Sequence, residues 1–412
     1  MKYGLVGEKL GHSFSLEIHR ELGNDEYILK EVSCEDIDSF FLNGEFNGIN
    51  VTIPYKETVI PYLHYIDNSA RDIGAVNTVV NRGGKLYGYN TDFYGMVELI
   101  RHTGIELRGK KVIVLGTGGT SKTAEAVSHS LGAGCVMKVS RSGRGGAVTY
   151  DELYRDHSDA NIIINTTPSG MYPKTDDIPV RLEAFPNLLG VIDAVYNPLR
   201  TRLITEAQKR GIPACGGLYM LVAQAVGASE IFLGTRYDTS VTERIYKRLL
   251  RSKENIVLIG MPASGKTSVG RELGEALQRQ FIDTDDIIVK MAGMTIPEIF
   301  AKRGEGAFRD IESDAVREAA KANGAVIATG GGAILREENL DALHSNGRLY
   351  FIDRPPELLI PTSDRPLSSD RDAILKRYTE RYPIYCSVCD EIIDGSKSVA
   401  EVTRLITESF TR

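Results

Sequence analysis

Two glycine-rich loops of different design occur in this chain, and each follows a short apolar run and precedes a stretch with helical periodicity. The first, GTGGTS at residues 116–121, follows the apolar run 112–115. The second, GMPASGKT at residues 260–267, follows the apolar run 256–259. Between a strand and a helix, the first pattern is typical of a dinucleotide site and the second of a nucleoside triphosphate site. The chain is therefore predicted to carry two catalytic modules.

The length and patterning of the chain indicate several α/β domains. Its 412 residues exceed what one hydrophobic core usually organises, and 42% of them are hydrophobic. Apolar runs alternate with helical patterns, which predicts an α/β fold with mostly parallel sheets. The predicted strands are residues 3–6, 76–80, 112–115, 162–164, 191–195, 256–259, 326–328 and 349–352. A Rossmann-type domain is expected around the first loop and a P-loop domain with a parallel sheet around the second.

Charge and hydropathy argue against several classes of protein. The net charge of -6 gives no general attraction to nucleic acid or to an anionic membrane, so small acidic ligands are the favoured partners. The N-terminus lacks the apolar core of a signal peptide, and no apolar stretch approaches membrane-spanning length, which predicts a cytoplasmic protein. The five cysteines do not form a disulfide framework, and Cys386 and Cys389 lack the second pair that a zinc site needs. Nothing in the sequence indicates an oligomeric state.

The main domain boundary is predicted near residue 250. Residues 243–255 have the pattern of a helix that ends in a short polar joint, directly before the strand of the second loop. The joint is only a few residues long, so it does not resemble a flexible tether. The expected modules are residues 1–250 and 255–412.

The first loop has the residues that a dinucleotide needs, although a bare strand-to-helix turn remains an alternative. Gly116 and Gly118 suit the tight turn and the approach to a pyrophosphate, and Ser121 is a small residue where helix meets strand. Gly119 and Thr120 complete the loop. The next strand end lacks the carboxylate that would bind the ribose of NAD, and its polar residues favour NADP. Those residues are Ser140, Arg141 and Arg144.

Polar residues upstream of this loop form an unusual set. Ser13 and Ser15 place two hydroxyls two residues apart, and Lys56 follows a proline turn. Taken singly, each has an ordinary explanation as a helix cap, a turn residue or a solvated surface charge. Together with the segments NTTPSGM at 165–171, DAVYNP at 193–198 and GLYMLVAQ at 217–224, they closely resemble the shikimate dehydrogenase family over residues 1–250.

The resemblance implies a substrate domain made of residues of about 1–100 and 218–250, with an NADP domain of about 101–217 inserted between them. It implies that Lys56 and Asp92 form the catalytic pair. A lysine beside the reacting oxygen can give the proton that a reduced ketone needs, and can take it back in the reverse direction. The substrate-binding residues that the resemblance implies are Ser13, Ser15, Thr52, Asn77, Asp92, Tyr196 and Gln224.

The second loop is a full P-loop, a pattern that rarely arises by chance in this context. Its backbone amides suit the phosphates of ATP, Lys266 can reach the outer phosphates, and Thr267 can help to hold Mg²⁺. Gly260, Ser264 and Gly265 shape the loop. The motif alone does not identify the phosphate acceptor, because many kinases and ATPases share it.

Residues 255–412 resemble the shikimate kinase family. The resemblance implies that Asp283 assists Mg²⁺ and that Asp285 binds the acceptor hydroxyl and acts as its base. It also implies a substrate pocket formed by Arg309, Gly331, Gly332 and Arg381, and a mobile lid around Arg365. The lid differs from the family pattern, because residues 359–363 before it are uncharged; Arg354 or Arg371 are alternative contacts for ATP.

Together the resemblances imply a bifunctional enzyme of the shikimate pathway that uses NADP(H), ATP and Mg²⁺. The first module would reduce 3-dehydroshikimate, and the second would phosphorylate the resulting shikimate. One alternative is a sensor of shikimate or quinate built from the same folds, although the reactive residues Lys56, Lys266 and Asp285 argue against it. Another is an enzyme that uses quinate or NAD, which Ser13, Ser15 and Arg141 disfavour.

Overall fold

The computed structural model describes residues 1–11, 13–359 and 371–411. The chain separates into two compact units, Met1–Leu249 and Leu250–Arg412. The division falls inside helix α9 (Ser240–Lys253), which ends two residues before the first strand of the second unit. Within the described ranges, no helix is both long and apolar enough to cross a lipid bilayer.

The first unit begins with a mixed six-stranded sheet in the order β2-β1-β3-β5-β6-β4. Strand β5 is antiparallel to both of its neighbours, whereas β1 is parallel to β2 and β3. The strands are β1 (Tyr3–Gly7), β2 (Tyr27–Glu31), β3 (Gly48–Val51), β4 (Tyr65–Ile66), β5 (Thr78–Arg82) and β6 (Lys85–Tyr89). The helices of this part are α1 (Ser15–Glu21), α2 (Ile37–Asn43), α3 (Asn68–Ile73), α4 (Thr91–Thr103) and α8 (Leu218–Leu233).

A second sheet in the same unit is entirely parallel, in the order β11-β10-β9-β7-β8. All residues of β9 and β10 are buried because helices cover both faces, which explains why these strands are continuous apolar runs. Its strands are β7 (Lys111–Leu115), β8 (Cys135–Val139), β9 (Ile162–Asn165), β10 (Gly190–Asp193) and β11 (Ala214–Cys215). Its helices are α5 (Gly119–Ser130), α6 (Tyr150–Asp156) and α7 (Arg202–Lys209).

The second unit is built on one parallel sheet in the order β13-β14-β12-β15-β16. Its strands are β12 (Asn255–Ile259), β13 (Phe281–Asp283), β14 (Val326–Ala328), β15 (Gly347–Asp353) and β16 (Glu391–Asp394). Its helices are α10 (Lys266–Leu277), α11 (Thr284–Ala292), α12 (Ile296–Ala320), α13 (Glu337–Asn346), α14 (Arg371–Val388) and α15 (Val399–Thr411). Helix α12 is kinked at Gly304.

These sheets confirm the predicted fold class of α/β domains with parallel sheets. In each parallel sheet a glycine-rich loop leaves the carboxyl end of an interior strand, β7 in one case and β12 in the other. Loops from neighbouring parallel strands meet at that edge, which is where ligands bind in open α/β sheets. The polar residues singled out from the sequence are therefore found around two such edges.

Candidate active sites

A cavity of about 510 Å³ opens in the first unit, between the mixed sheet and the first glycine loop. It is lined by every residue that the sequence suggested for substrate binding in this module. Those residues are Ser13, Ser15, Thr52, Asn77, Asp92, Tyr196 and Gln224, and the predicted catalytic residue Lys56 lines the cavity as well. Thr120 of the glycine loop also lines the cavity, so the nucleotide edge and the polar residues share one space.

Lys56 and Asp92 form a close ion pair in this cavity. The Lys56 Nζ atom lies 2.6 Å from Asp92 Oδ2, and the two side chains are only 16% and 10% exposed. Asp92 lies in the first turn of α4, whose start is fixed by the Asn90 side chain accepting from the Phe93 backbone N–H at 3.1 Å. The carboxylate is therefore held by a capped helix and orients the ammonium toward the cavity.

The Asn77 side chain anchors the same helix start. Its Oδ1 accepts from the Thr91 backbone N–H at 2.7 Å, and its Nδ2 donates to Thr91 Oγ1 at 3.1 Å. The Nδ2 also lies 3.5 Å from Oε1 of Gln224 on α8. Because the Thr91 backbone N–H can only donate, the Asn77 oxygen must face it, and the orientation of the Asn77 amide is fixed. No role was predicted for Thr91 from the sequence.

Tyr27, Asn50 and Thr78 form a chain of buried hydrogen bonds that the sequence did not reveal. The Tyr27 hydroxyl donates to Asn50 Oδ1 at 2.8 Å, and Asn50 Nδ2 donates to Thr78 Oγ1 at 3.1 Å. Asn50 also lines the cavity. The His19 imidazole stacks on the Tyr27 phenol ring with 3.8 Å between ring centroids. The position of Asn50, a cavity residue, thus depends on a buried aromatic stack.

His19 should make this unit sensitive to acid. Burial lowers the pKa of His19 to about 3, and Asn50 opposes this only partly because neither ring nitrogen meets it in hydrogen-bonding geometry. Between roughly pH 6.5 and pH 3 the unfolded chain binds a proton that the folded chain does not, so stability falls as the pH falls. The difference is on the order of 5 kcal/mol at the acid end.

We expect His19→Phe, which retains a ring to stack on Tyr27, to lose less stability than the wild type between pH 7 and pH 4.5. Hydrogen exchange of the β1 and β2 amides measures this when variant and wild type are compared at the same pH. The exposed imidazole of His129 on α5 provides a matched control, because His129→Phe should leave the acid response unchanged. An identical acid response in His19→Phe and the wild type would contradict the prediction.

The serine pair lies at the entrance to α1. Ser13 Oγ donates to Ser15 Oγ at 3.0 Å and accepts from the Ser15 backbone N–H at 3.2 Å. The two hydroxyls are therefore adjacent, and both line the cavity. Paired hydroxyls of this kind can donate to the two oxygens of a carboxylate.

The first glycine loop has the geometry of a phosphate site. Gly118 caps α5 and Gly119 begins it. Gly116 has φ of 113°, and a Cβ there would lie 2.7 Å from Thr166 Oγ1, so only glycine fits. The Ser121 hydroxyl donates to the Gly116 carbonyl at 2.7 Å. Serine in the third position is therefore a small residue that also fastens the loop.

The turn after β8 fits a nucleotide that carries a 2′-phosphate. Arg141 and Arg144 are both exposed on this turn, and Ser140 Oγ accepts from the Gly143 backbone N–H at 3.1 Å. No carboxylate occurs between residues 138 and 148. Two exposed guanidinium groups, with no acidic residue in the same stretch of sequence, suit NADP rather than NAD.

The P-loop of the second unit has a buried lysine. Lys266 Nζ donates to the carbonyls of Gly260 and Met261 at 3.0 and 2.8 Å, and it lies 3.4 Å from Ser264 Oγ. Gly265 caps α10 with φ of 93°. The first turn of α10 therefore presents backbone N–H groups beside an ammonium, which is the chemistry that binds phosphate oxygens.

Two oxygen ligands suitable for Mg²⁺ lie next to the P-loop. Thr267 Oγ1 donates to Asp283 Oδ2 at 2.8 Å, and the other Asp283 oxygen accepts from the Asp285 backbone N–H at 3.0 Å. A hydroxyl and a carboxylate at this distance fit the preference of Mg²⁺ for oxygen ligands beside phosphates.

A second cluster surrounds the three glycines that follow β14. Arg309 Nη1 donates to Glu312 Oε2 at 2.7 Å, and Glu312 is almost fully buried. Burial raises the pKa of the Glu312 carboxyl, which the Arg309 guanidinium opposes. A Cβ at Gly330 would lie 2.8 Å from Glu312 Oε1 and 3.2 Å from Asp285 Oδ1, so both carboxylates lie against the same backbone. Glu312, to which the sequence assigned no role, orients Arg309.

Arg381 reaches the same glycines from helix α14. Its Nη1 donates to the Gly331 carbonyl at 3.0 Å, and the Tyr385 hydroxyl donates to that oxygen at 2.6 Å. Among the alternatives for ATP contact, Arg354 is bound to the carbonyls of Leu358 and Gly395 at 3.2 and 3.0 Å. Arg365 lies outside the described residues.

Comparison with known proteins identifies both units. Residues 5–79 match the family model of the shikimate dehydrogenase substrate binding domain, and residues 262–411 match that of shikimate kinase. A shikimate dehydrogenase (NADP(+)) of Clostridium beijerinckii is 39% identical over 259 residues, which cover 59% of this chain and 96% of that protein. The shikimate dehydrogenase (NADP(+)) of Methanococcus maripaludis is 34% identical, and the match covers 60% of this chain and 97% of that protein.

Solved structures agree with these matches. The crystal structure of shikimate dehydrogenase 1 from Peptoclostridium difficile is 39% identical with a TM-score of 0.56, covering 60% of this chain and 98% of its own. Shikimate 5-dehydrogenase from Thermus thermophilus, solved in complex with NADP(H) and shikimate, is 28% identical with a TM-score of 0.54. The match covers 60% of this chain and 99% of that one. The chain therefore belongs to the shikimate dehydrogenase family and joins to it a shikimate kinase domain, as a bifunctional enzyme of the shikimate pathway.

Proposed function

We propose that the first module reduces 3-dehydroshikimate to shikimate with NADPH, and that the second transfers a phosphoryl group from ATP to shikimate to give shikimate 3-phosphate. The observation that carries the first half is the Lys56–Asp92 pair in a cavity that a nucleotide loop also lines. A Cβ on Gly119 would lie 3.7 Å from Lys56 Cδ, so the lysine lies against the start of the nucleotide helix.

In the first module, bound NADPH supplies the hydride. Lys56 then donates a proton from Nζ to the oxygen of the reduced carbonyl, and Asp92 keeps the ammonium oriented. Ser13 and Ser15 bind the substrate carboxylate through their adjacent hydroxyls. The other predicted substrate-binding residues, Thr52, Asn77, Tyr196 and Gln224, line the same cavity and bind the ring hydroxyls.

In the second module, the P-loop would hold ATP, and Thr267 and Asp283 would supply oxygen ligands to Mg²⁺. Lys266 stabilises the charge that develops on the transferred phosphoryl group. Asp285 accepts the proton of the acceptor hydroxyl. Arg309 and Arg381 bind the shikimate carboxylate, a task that suits a planar guanidinium. The dehydrogenase module comprises residues 1–250 in this proposal, and the kinase module residues 255–412.

A substrate panel on the purified chain tests the proposal. We expect NADPH oxidation with 3-dehydroshikimate, much slower oxidation of NADH, and phosphorylation of shikimate by ATP with Mg²⁺ but not with EDTA. Quinate in place of shikimate tests the breadth of both pockets. Absence of phosphoryl transfer to shikimate would refute the kinase assignment, and binding of shikimate without turnover in either assay would favour a sensor.

The Gly332 position provides a sharper test of the kinase pocket. A Cβ at this position would overlap the Arg309 guanidinium, so Gly332→Ala displaces that group from its place beside Glu312. We expect the KM for shikimate to rise about tenfold or more, the cost of one weakened charge-assisted contact, with a smaller change in the KM for ATP. Gly306→Ala is a matched control, because no atom lies within 4 Å of a Cβ there. Equal changes in both KM values would contradict this assignment.

A further inference from the structure

Asp193 is a buried carboxyl group that the mechanism above does not use. It lies at the carboxyl end of β10 and has no exposed surface. Its Oδ1 accepts from the Val195 backbone N–H and from Asn165 Nδ2, both at 2.9 Å, and its Oδ2 accepts from Thr201 Oγ1 at 2.7 Å. No ion pair of the described residues involves it. Three donors on one buried side chain indicate a structural hub beside the cavity.

The hydrogen bonds continue from Asp193 into the neighbouring loop. Asn165 is the register partner of Asp193 on β9, and its Oδ1 accepts from the Thr167 backbone N–H at 3.0 Å and from Thr167 Oγ1 at 2.7 Å. The hydroxyl of the preceding residue, Thr166 Oγ1, donates to the Leu115 carbonyl at 2.6 Å. This loop is thus fastened between Asp193 and the strand that precedes the first glycine loop.

Two loops that meet at Asp193 form different parts of the cavity wall. Thr166 and Thr167 line it from β9, next to the nucleotide loop, since Thr166 lies against Gly116. Val195 and Tyr196 line it from β10, and Tyr196 belongs to the proposed substrate-binding residues. A single carboxyl group therefore connects the cofactor side of the cavity with its substrate side.

We propose that Asp193 is a positioning residue of the dehydrogenase, which sets the separation between the loop at 165–168 and the loop at 194–197. The inference rests on the proposed function of this cavity. Hydride transfer requires donor and acceptor carbons about 3–3.5 Å apart, and a displacement of about 1 Å can cost roughly 100-fold in rate. Loss of Asp193 therefore slows the chemical step more than it weakens binding of either ligand.

An asparagine can replace this carboxyl group. Burial raises the pKa of Asp193 to about 7, opposed by its hydrogen bonds to Thr201, Val195 and Asn165. Asn would keep an oxygen to accept from Val195 and Asn165, while its Nδ2 could donate to the Thr201 hydroxyl, which can act as an acceptor. The hydrogen-bonded shape of the hub, rather than its charge, is what holds the two loops.

The test compares Asp193→Ala, Asp193→Asn and wild type in single-turnover oxidation of NADPH by 3-dehydroshikimate. We expect Asp193→Ala to lower the single-turnover rate about 10- to 100-fold, with KM values for both ligands within about threefold of wild type and an increased isotope effect with deuterated NADPH. Asp193→Asn should remain within about threefold of the wild-type rate. Asp151→Ala, which removes an exposed carboxylate of the same part of the chain, is the matched control and should change nothing.

Asn165→Ala cuts the same hydrogen-bond path at its other end and should give the same kinetic pattern, which keeps the test decisive if Asp193→Ala does not fold. Wild-type rates in Asp193→Ala, or a loss of rate explained by equal rises in both KM values, would overturn the inference. A loss of single-turnover rate in Asp193→Asn as large as that in Asp193→Ala would also overturn the inference. A wild-type protein without turnover would instead refute the proposed function itself.

Discussion

Replacing Lys56 by alanine is expected to lower the rate of 3-dehydroshikimate reduction about 1000-fold, within the range that general acid catalysis contributes. The change removes the proton donor and also leaves the Asp92 carboxylate, only 10% exposed, without its partner at 2.6 Å. Steady-state oxidation of NADPH measures the loss. Shikimate phosphorylation by the same purified chain should persist at the wild-type rate.

Two further variants separate proton transfer from charge. Lys56→Arg keeps a cation beside Asp92 but does not release its proton at neutral pH, so it should remain nearly as slow as Lys56→Ala. Lys2→Ala removes an exposed lysine that pairs with Glu26 and should leave reduction unchanged. If Lys56→Ala retained a tenth or more of the wild-type rate, another group would have to be the acid.

The second large effect is expected at Lys266. Lys266→Ala should lower phosphoryl transfer to shikimate about 100- to 1000-fold, comparable to removal of one strong donor that stabilises transition-state charge. Lys266 is held by the Gly260 and Met261 carbonyls in the P-loop, so its ammonium lies where the outer phosphates of ATP are expected. A coupled assay of ADP release measures the loss, and reduction of 3-dehydroshikimate should be unaffected.

Lys302→Ala provides the control for this variant. Lys302 lies on α12, and among the described residues its ammonium pairs with Glu298 in an exposed ion pair, so its removal should leave both activities intact. Loss of both activities from either Lys56→Ala or Lys266→Ala would contradict the assignment of one site to each module.

The sequence predicted most of the strands that are buried on both faces. It missed β3, whose four residues are also all buried, because Gly48 and Asn50 interrupt its apolar run. The fully buried strands β9, β10 and β12 were visible as continuous apolar runs. Strands β2 and β8 consist largely of exposed or half-exposed residues, and β13 is three residues long, so none of them has a strong periodic signal. The antiparallel β5 of the first sheet likewise has no mark that distinguishes it from a parallel strand.

The candidate sites also contain residues that the sequence could locate and residues that it could not. Residues that belong to a compact motif, such as Lys266 in the P-loop, could be located from the sequence because neighbouring positions fix their chemistry. Asn50 and Asp193 could not be assigned a role in this way. Their hydrogen bonds reach partners 23 and 28 positions away, respectively, and only the fold shows that these partners are close. Their roles depend on long-range hydrogen bonds, which leave no local pattern.

The carbonyl of Gly331 accepts from both the Arg381 guanidinium and the Tyr385 hydroxyl. Two donors, one of them cationic, draw electron density toward that oxygen and polarise the whole peptide group. The amide hydrogen on the far side of this peptide belongs to Gly332, so it becomes more acidic and binds an oxygen more strongly than an ordinary main-chain amide. Helix α14, some 50 residues further along the chain, thereby tunes the backbone of the pocket electronically.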